Sequence, residues 1–146
     1  MWFLVSLGRM EYLFAIHFGV TWALVGLIWV IQIVHYPLFG EVGKEAFKIY
    51  HQRHSTLITW LVGPMMLLEL ASAVVLSAGP FRSVWMRGSL VLLLFVWGCT
   101  WLVQVPLHQK LAEGFDWQMH RRLVTTNWWR TIGWTLRGIC LFFVMR

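Results

Sequence analysis

Charged residues are scarce in this sequence: only 12% of its 146 residues are Asp, Glu, Lys or Arg, whereas 59% are hydrophobic. The apolar runs are too long and too uncharged for a soluble core, and four of them reach the roughly 20 residues that a membrane-spanning helix needs. We therefore predict an integral membrane protein in contact with a lipid bilayer. The net charge of +6 comes from residues that flank the apolar runs and form no basic groove, which argues against nucleic-acid binding.

Several catalytic motifs are also absent. We find no nucleophile elbow, no glycine-rich phosphate loop and no paired carboxylates, so hydrolase and phosphotransfer functions have no support. The only two cysteines, Cys99 and Cys140, fall inside predicted spans at different depths, and we do not expect a disulfide between them.

The apolar runs predict four membrane helices. Their connections are short, about 18, 5 and 15 residues, so little of the chain remains for a soluble domain. We therefore predict a single all-α transmembrane domain covering residues 1–146, a four-helix bundle that runs up, down, up and down. The predicted spans are residues 11–36, 55–78, 84–107 and 123–145.

Five of the six histidines fall on one side of this bundle, at or near the first and third connections. His51 and His54 are three residues apart on a helix, a spacing that lets two imidazoles bind one ion. The candidate metal ligands are His35, His51, His54 and His108. The alternative is that each histidine only closes or caps a helix end, which is the more common role of a single His at a membrane interface.

Other polar residues fall in the same layer. Asn127 and Arg130 are three residues apart near the start of the fourth span, and this pair suits stabilisation of negative charge on a substrate oxygen. Tyr36 is a candidate proton donor. The predicted catalytic set is His35, Tyr36, His108, Asn127 and Arg130.

A second polar layer is predicted deeper in the bundle. Glu69, Arg137 and His17 all lie about 22 to 27 Å from the histidine-rich side at 1.5 Å of rise per residue. Ionisable groups inside a span are costly unless they are paired or face a cavity, so we predict an ion pair between Glu69 and Arg137 with His17 as a neighbour. These three residues either bind a cofactor or only fix the register of the helices.

Charge distribution gives a preferred orientation. Six Lys and Arg residues lie near the first and third connections, against four near the other membrane side. The positive-inside rule then places the histidine-rich connections in the cytoplasm. The expected location is the bacterial inner membrane.

The segments "HYPLF", "YHQRH", "VGPMMLLE", "VPLHQKL" and "TNWWRTIGWTLRG" resemble those of small uncharacterised bacterial four-helix membrane proteins. The second half is also similar to the anthrone-oxygenase-like membrane family, in which Pro106, Asn127 and Arg130 would match and His108 replaces a more frequent Asn. That resemblance implies oxidation of polycyclic phenols without a metal. The stretch "IHFGVTWALVG" resembles the first helix of membrane-type protoporphyrinogen oxidases, which implies a haem-linked role for His17.

These features predict an oxidoreductase that acts on, or binds, a hydrophobic aromatic or quinone-like molecule, with a transition metal or haem as candidate cofactor. The alternative is a non-catalytic accessory subunit that packs against a larger membrane protein, a pigment complex or further copies of itself. A transporter ranks third, because Gly63 and Pro64 can break the second helix but equally produce an ordinary kink.

Overall fold

Four long helical segments form the fold, as seen in a computed structural model that describes residues 2–79 and 81–145, with only the backbone described for residues 2–7. The described residues contain helices and no strands, which confirms the predicted all-α bundle. The first segment comprises α1 (Trp2–Val30), a π-helical turn (Ile31–His35), α2 (Tyr36–Leu38) and a 3₁₀ turn (Phe39–Glu41), and the second segment is α3 (Lys44–Ala78). The third segment comprises α4 (Val84–Cys99), a π-helical turn (Thr100–Gln104) and α5 (Val105–Glu113), and the fourth segment is α6 (Trp117–Val144).

The four segments form a closed ring, in which α1 packs against α3 and α6, α4 packs against α6, and α5 packs against α3 and α6. At two of the predicted connections the helices extend beyond the predicted membrane spans. Only residues 42–43 separate the first two segments and only residues 114–116 separate the last two. The apolar windows missed these helical extensions because their exposed sides are polar, as at Lys44 and Lys48, while Phe47 and His51 face the core.

Three of the segments are long and apolar enough to cross a membrane, and they make the chain a membrane protein by that criterion: Gly8–Glu41, Lys44–Ala78 and Val84–Glu113. The fourth predicted window differs, because α6 does not reach the same apolarity. Its polar residues point inward, with Asn127 and Arg137 fully buried, whereas Ile132 and Phe142 are about half exposed. The outer surface of α6 is therefore as compatible with lipid as that of the other segments.

Two glycines allow close packing of α6. A Cβ atom at Gly133 would lie 2.8 Å from Val96 Cγ2, and one at Gly138 would lie 3.1 Å from the Trp22 ring. Larger side chains at these two positions would push α4 and α1 away from α6.

The two halves of the chain share a fixed spacing of 69 residues. Pro106 follows Pro37 by 69 positions (106 minus 37), and His120 follows His51 by the same interval. The π-helical turns Ile31–His35 and Thr100–Gln104 are equivalent under this spacing too. The first two segments and the last two therefore form similar hairpins, in which residue n of the helices in the first corresponds to residue n + 69 in the second, although the connections, residues 42–43 and 114–116, do not keep this spacing.

Proline explains why the irregular turns recur. Each π-helical turn ends one residue before an X-Pro pair, and the amides of Tyr36 and Val105 bond to carbonyls five residues earlier, on Ile31 and Thr100. A proline ring clashes with the carbonyl four residues before it in a regular α-helix, and a wider turn relieves that clash.

Candidate functional site

A cavity of about 330 Å³ lies at the centre of the bundle. Its walls come from all four segments and are mostly apolar, and such a cavity suits a small hydrophobic molecule. The lining residues are Leu24, Leu27, Ile28, Ile31, Tyr36, Ile58, Thr59, Val62, Gly63, Met66, Leu67, Trp97, Thr100, Trp101, Gln104, Val105, His108, Arg130 and Trp134. Leu67 and Trp101 are about 60% exposed, so the cavity reaches the outer surface between α3 and the third segment.

Four polar side chains of the cavity wall, Tyr36, Gln104, His108 and Arg130, cluster near one end of the cavity. The Tyr36 hydroxyl lies 2.8 Å from Nε2 of His108, and Arg130 lines the same cavity. Gln104 is only 2% exposed, donates to the Thr126 hydroxyl at 2.9 Å and leaves its Oε1 atom without a partner. An unpartnered buried acceptor is costly, and a ligand hydroxyl would satisfy it.

Arg130 is held in place by a chain of side chains. Its Nη1 donates to Oδ1 of Asn127 at 3.0 Å, and Nδ2 of Asn127 donates to Oε1 of Gln32 at 3.0 Å. Gln32 in turn donates to the Val124 carbonyl at 3.2 Å. The guanidinium also lies 5.2 Å from the ring centre of Trp134, a cation–π contact. These contacts fix a positive charge at the polar end of the cavity.

The four candidate metal ligands form two hydrogen-bonded pairs. His35 Nε2 lies 2.8 Å from His54 Nδ1, and His51 Nε2 lies 3.0 Å from His108 Nδ1. Each pair is hydrogen bonded in this structure, so one nitrogen of each pair carries the proton between them. Throughout residues 2–79 and 81–145, no group of three or more His, Cys, Asp or Glu side chains has the spacing to hold a metal. The metal site stays a prediction, and its geometry here is one of paired imidazoles.

A groove adjoins the polar end of the cavity, between α3 and α5, with a volume of about 580 Å³. It shares Ile58, Thr59, Val105 and His108 with the cavity wall. His51 lines it, and Nδ1 of this buried imidazole has no partner. His108 therefore lies between the cavity and the groove.

A deep cluster occupies the bundle interior, made of His17, Thr21, Glu69, Ser72, Trp134 and Arg137. The Glu69 carboxylate pairs with the Arg137 guanidinium and also accepts from the Thr21 hydroxyl at 2.9 Å and from the Trp134 indole at 3.2 Å. Both charged side chains are fully buried. The predicted ion pair is confirmed.

His17 is the neighbour of the ion pair that the sequence predicted. Arg137 donates from Nη2 to Nε2 of His17 at 3.0 Å, and Nδ1 of His17 lies 2.7 Å from the Ser72 hydroxyl. Because the guanidinium can only donate, Nε2 must accept, and His17 is a neutral imidazole with its proton on Nδ1. The Ser72 hydroxyl in turn donates a hydrogen bond to the Leu68 carbonyl at 2.6 Å.

The structure brings most of the predicted catalytic residues together. Tyr36, His108 and Arg130 share the cavity wall, and Asn127 supports Arg130 from behind. His35 stands apart, because its imidazole bonds to His54 and it does not line the cavity or the groove.

Sequence reasoning missed several members of both layers. The deep cluster also uses Thr21, Ser72 and Trp134, which lie three or four residues from His17, Glu69 and Arg137. Helical spacing from each charged residue would have identified them. Gln104 carried no such signal, because its place in the site depends on the π-helical turn.

Comparison with protein-family models, with curated proteins and with solved structures finds no match for this chain. The resemblances noted in the sequence therefore stay predictions, and a function has to be argued from the cavity.

Proposed function

We propose that the protein is an integral membrane oxidoreductase that takes a hydrophobic aromatic or quinone-like molecule into the central cavity. The observation that carries this proposal is the cavity's composition, an apolar chamber with Tyr36, His108, Gln104 and Arg130 at one end. A quinone or phenol has the same division, with an apolar ring or tail and one or two oxygens.

Arg130 would act on the substrate oxygen. Its guanidinium is fixed by Asn127 and Trp134, so little reorganisation is needed when negative charge develops on that oxygen. The Gln104 Oε1 atom would accept a hydrogen bond from a substrate hydroxyl.

Tyr36 would relay the substrate proton. Its hydroxyl can accept a proton from the substrate while it donates its own to Nε2 of His108, and His108 can donate from Nδ1 to Nε2 of His51. A hydroquinone that becomes a quinone releases two protons and two electrons. We propose dioxygen as the electron acceptor, which yields hydrogen peroxide.

Ligand binding tests this proposal in protein reconstituted in lipid nanodiscs. Decylubiquinone and anthrone are titrated while tryptophan fluorescence is recorded, since Trp97 and Trp134 line the cavity. A hydrogen bond to a charged group contributes about 1.5–3 kcal/mol, so Arg130→Gln should weaken binding roughly 10- to 150-fold.

Arg82→Gln is the matched control, because Arg82 is an exposed arginine between α3 and α4. Binding that is absent in the wild type, or equal in both variants, would remove the proposal. Oxygen uptake with reduced decylubiquinone or anthrone then separates an oxidoreductase from a protein that only binds.

A metal or haem is tested separately. Elemental analysis and an absorption spectrum of the wild type are compared with those of a variant carrying both His51→Ala and His54→Ala. A stoichiometric metal or a haem band that disappears in the variant would support a cofactor at the paired imidazoles. The accessory-subunit alternative predicts instead a co-purifying membrane protein and no ligand binding.

A further inference from the structure

The two equivalent hairpins create two equivalent seams in the helix ring. One lies between α1 and α6, and its counterpart lies between the third segment and α3. We call them the closed seam and the open seam, because only the second is lined by the cavity residues that reach the surface, Leu67 and Trp101. Comparison of equivalent positions shows why they differ.

Polar contacts hold the closed seam together. Gln32 and Asn127 are both buried and share a hydrogen bond of 3.0 Å, and Gln32 also reaches the Val124 carbonyl. On the open seam, Trp101 is equivalent to Gln32 and Ile58 is equivalent to Asn127. These two side chains cannot make the same hydrogen bond, and both line the cavity.

Aromatic side chains cover the closed seam from outside. The Trp29 and Trp128 rings meet edge to face at 5.6 Å, and the Trp29 indole donates to the Thr135 hydroxyl at 3.1 Å. The residues equivalent to Trp29 and Trp128 are Gly98 and Thr59.

Small residues therefore stand where the cover would be on the open seam. A Cβ atom at Gly98 would meet nothing within 4 Å, so the position equivalent to Trp29 has open space beside it. Thr59 is exposed and lines both the cavity and the groove.

We infer that the open seam is the lateral passage by which a lipid-dissolved ring molecule moves between the bilayer and the cavity, and that Gly98 and Thr59 keep it open. The identity of the molecule rests on the proposed function. The passage itself rests on the difference between equivalent seams and on the cavity behind one of them.

Access of a reactive probe tests the passage without any bound substrate. Thr100, which lines the cavity, is replaced by Cys in a background carrying Cys99→Ser and Cys140→Ser. The protein is placed in nanodiscs with N-(1-pyrenyl)maleimide, a ring molecule that partitions into lipid and forms a thioether by addition of the thiol across its double bond. The measured quantity is the labelling rate.

Closing the seam should slow this labelling. We expect Thr59→Phe combined with Gly98→Phe to reduce the rate at least tenfold, because two aromatic rings would then stand where Trp128 and Trp29 stand in the equivalent seam. Gly26→Phe is the control, since Gly26 is an exposed helical glycine of α1 whose Cβ would also meet nothing within 4 Å. It should leave the rate unchanged.

An unchanged rate in the closing variant would overturn the inference. If the double variant fails to reconstitute, Thr59→Phe alone serves, with an expected reduction of at least threefold. If the wild type does not bind decylubiquinone but the closing variant slows labelling, the proposed function is rejected and the passage is supported. If the wild type binds decylubiquinone but the closing variant does not slow labelling, the passage is rejected and the proposed function is supported.

Discussion

The buried ion pair between Glu69 and Arg137 allows us to predict how much a substitution lowers the free energy of unfolding. Glu69→Gln keeps the shape of the side chain and removes its charge, which leaves the Arg137 guanidinium uncompensated in a fully buried position. Breaking a buried ion pair by removing one partner costs about 3–5 kcal/mol. The equilibrium between folded and unfolded protein should therefore shift by more than about a hundredfold.

The loss of an uncharged hydrogen-bonding side chain gives the scale of this effect. Thr21 bonds to both members of the pair, and Thr21→Val removes these two hydrogen bonds without leaving a charge unpaired. Side-chain hydrogen bonds between membrane helices contribute about 0.6 kcal/mol on average, with a maximum near 1.7. We expect Thr21→Val to cost about 0.6–1.7 kcal/mol, well below the cost of Glu69→Gln.

Unfolding in mixed detergent and dodecyl sulfate micelles, followed by circular dichroism, measures these free energies. Glu113→Gln is the control, because Glu113 is exposed at the end of α5. Combining Glu69→Leu with Arg137→Met should be less harmful than either single change, since no charge then stays buried alone. A double variant that loses the sum of the two single costs would refute the argument, as would a Glu69→Gln protein within 0.5 kcal/mol of wild type.

Three further predictions follow from other contacts. Gly133→Ala should destabilise the bundle by about 1–3 kcal/mol in the same unfolding assay because its Cβ would lie 2.8 Å from Val96, whereas Gly26→Ala should be neutral or slightly stabilising. Tyr36→Phe should lower any quinol oxidation by at least a hundredfold, measured as oxygen uptake, with decylubiquinone affinity changed less than tenfold. A single cysteine placed at exposed Gln109 should react with a membrane-impermeant maleimide only from the cytoplasmic side, as the charge distribution predicts, and labelling of intact cells from outside would reverse that orientation.

The sequence predicted the deep cluster well because depth in a membrane helix is a simple function of residue number. A rise of 1.5 Å per residue placed Glu69, Arg137 and His17 at one level, and the cost of an isolated buried charge required them to meet. The same reasoning brought Tyr36, His108 and Arg130 to one membrane side. Depth alone, however, does not say which imidazole faces which.

Features that depend on neighbouring helices were beyond the sequence argument. The pairing of His35 with His54, and not with His108, depends on where the π-helical turn directs each side chain. The helices α3 and α6 begin before the predicted spans because an apolar window stops where one side of a helix becomes polar, although the helix continues. Two prolines and two histidines carry the repeat of 69 residues in the sequence, and the two π-helical turns carry it in the structure.

Trp134 connects the deep cluster to the cavity, and this connection makes a last prediction. Its indole donates to Glu69 Oε2 at 3.2 Å. Its ring lines the cavity and makes a cation–π contact with the Arg130 guanidinium. Glu69→Gln retains an acceptor for the indole, but Glu69→Leu does not, so only the second variant leaves the ring free to turn.

Loss of a hydrogen bond of about 1 kcal/mol should then appear as roughly fivefold weaker decylubiquinone binding in Glu69→Leu than in Glu69→Gln. The comparison uses two variants that both lack the charge, so a shared loss of stability does not produce the difference. Equal affinities would mean that the ring is held by packing alone and that the deep cluster acts only on stability. Unequal affinities would mean that the hydrogen bond from the indole to residue 69, although residue 69 lies outside the cavity wall, sets the shape of the binding site.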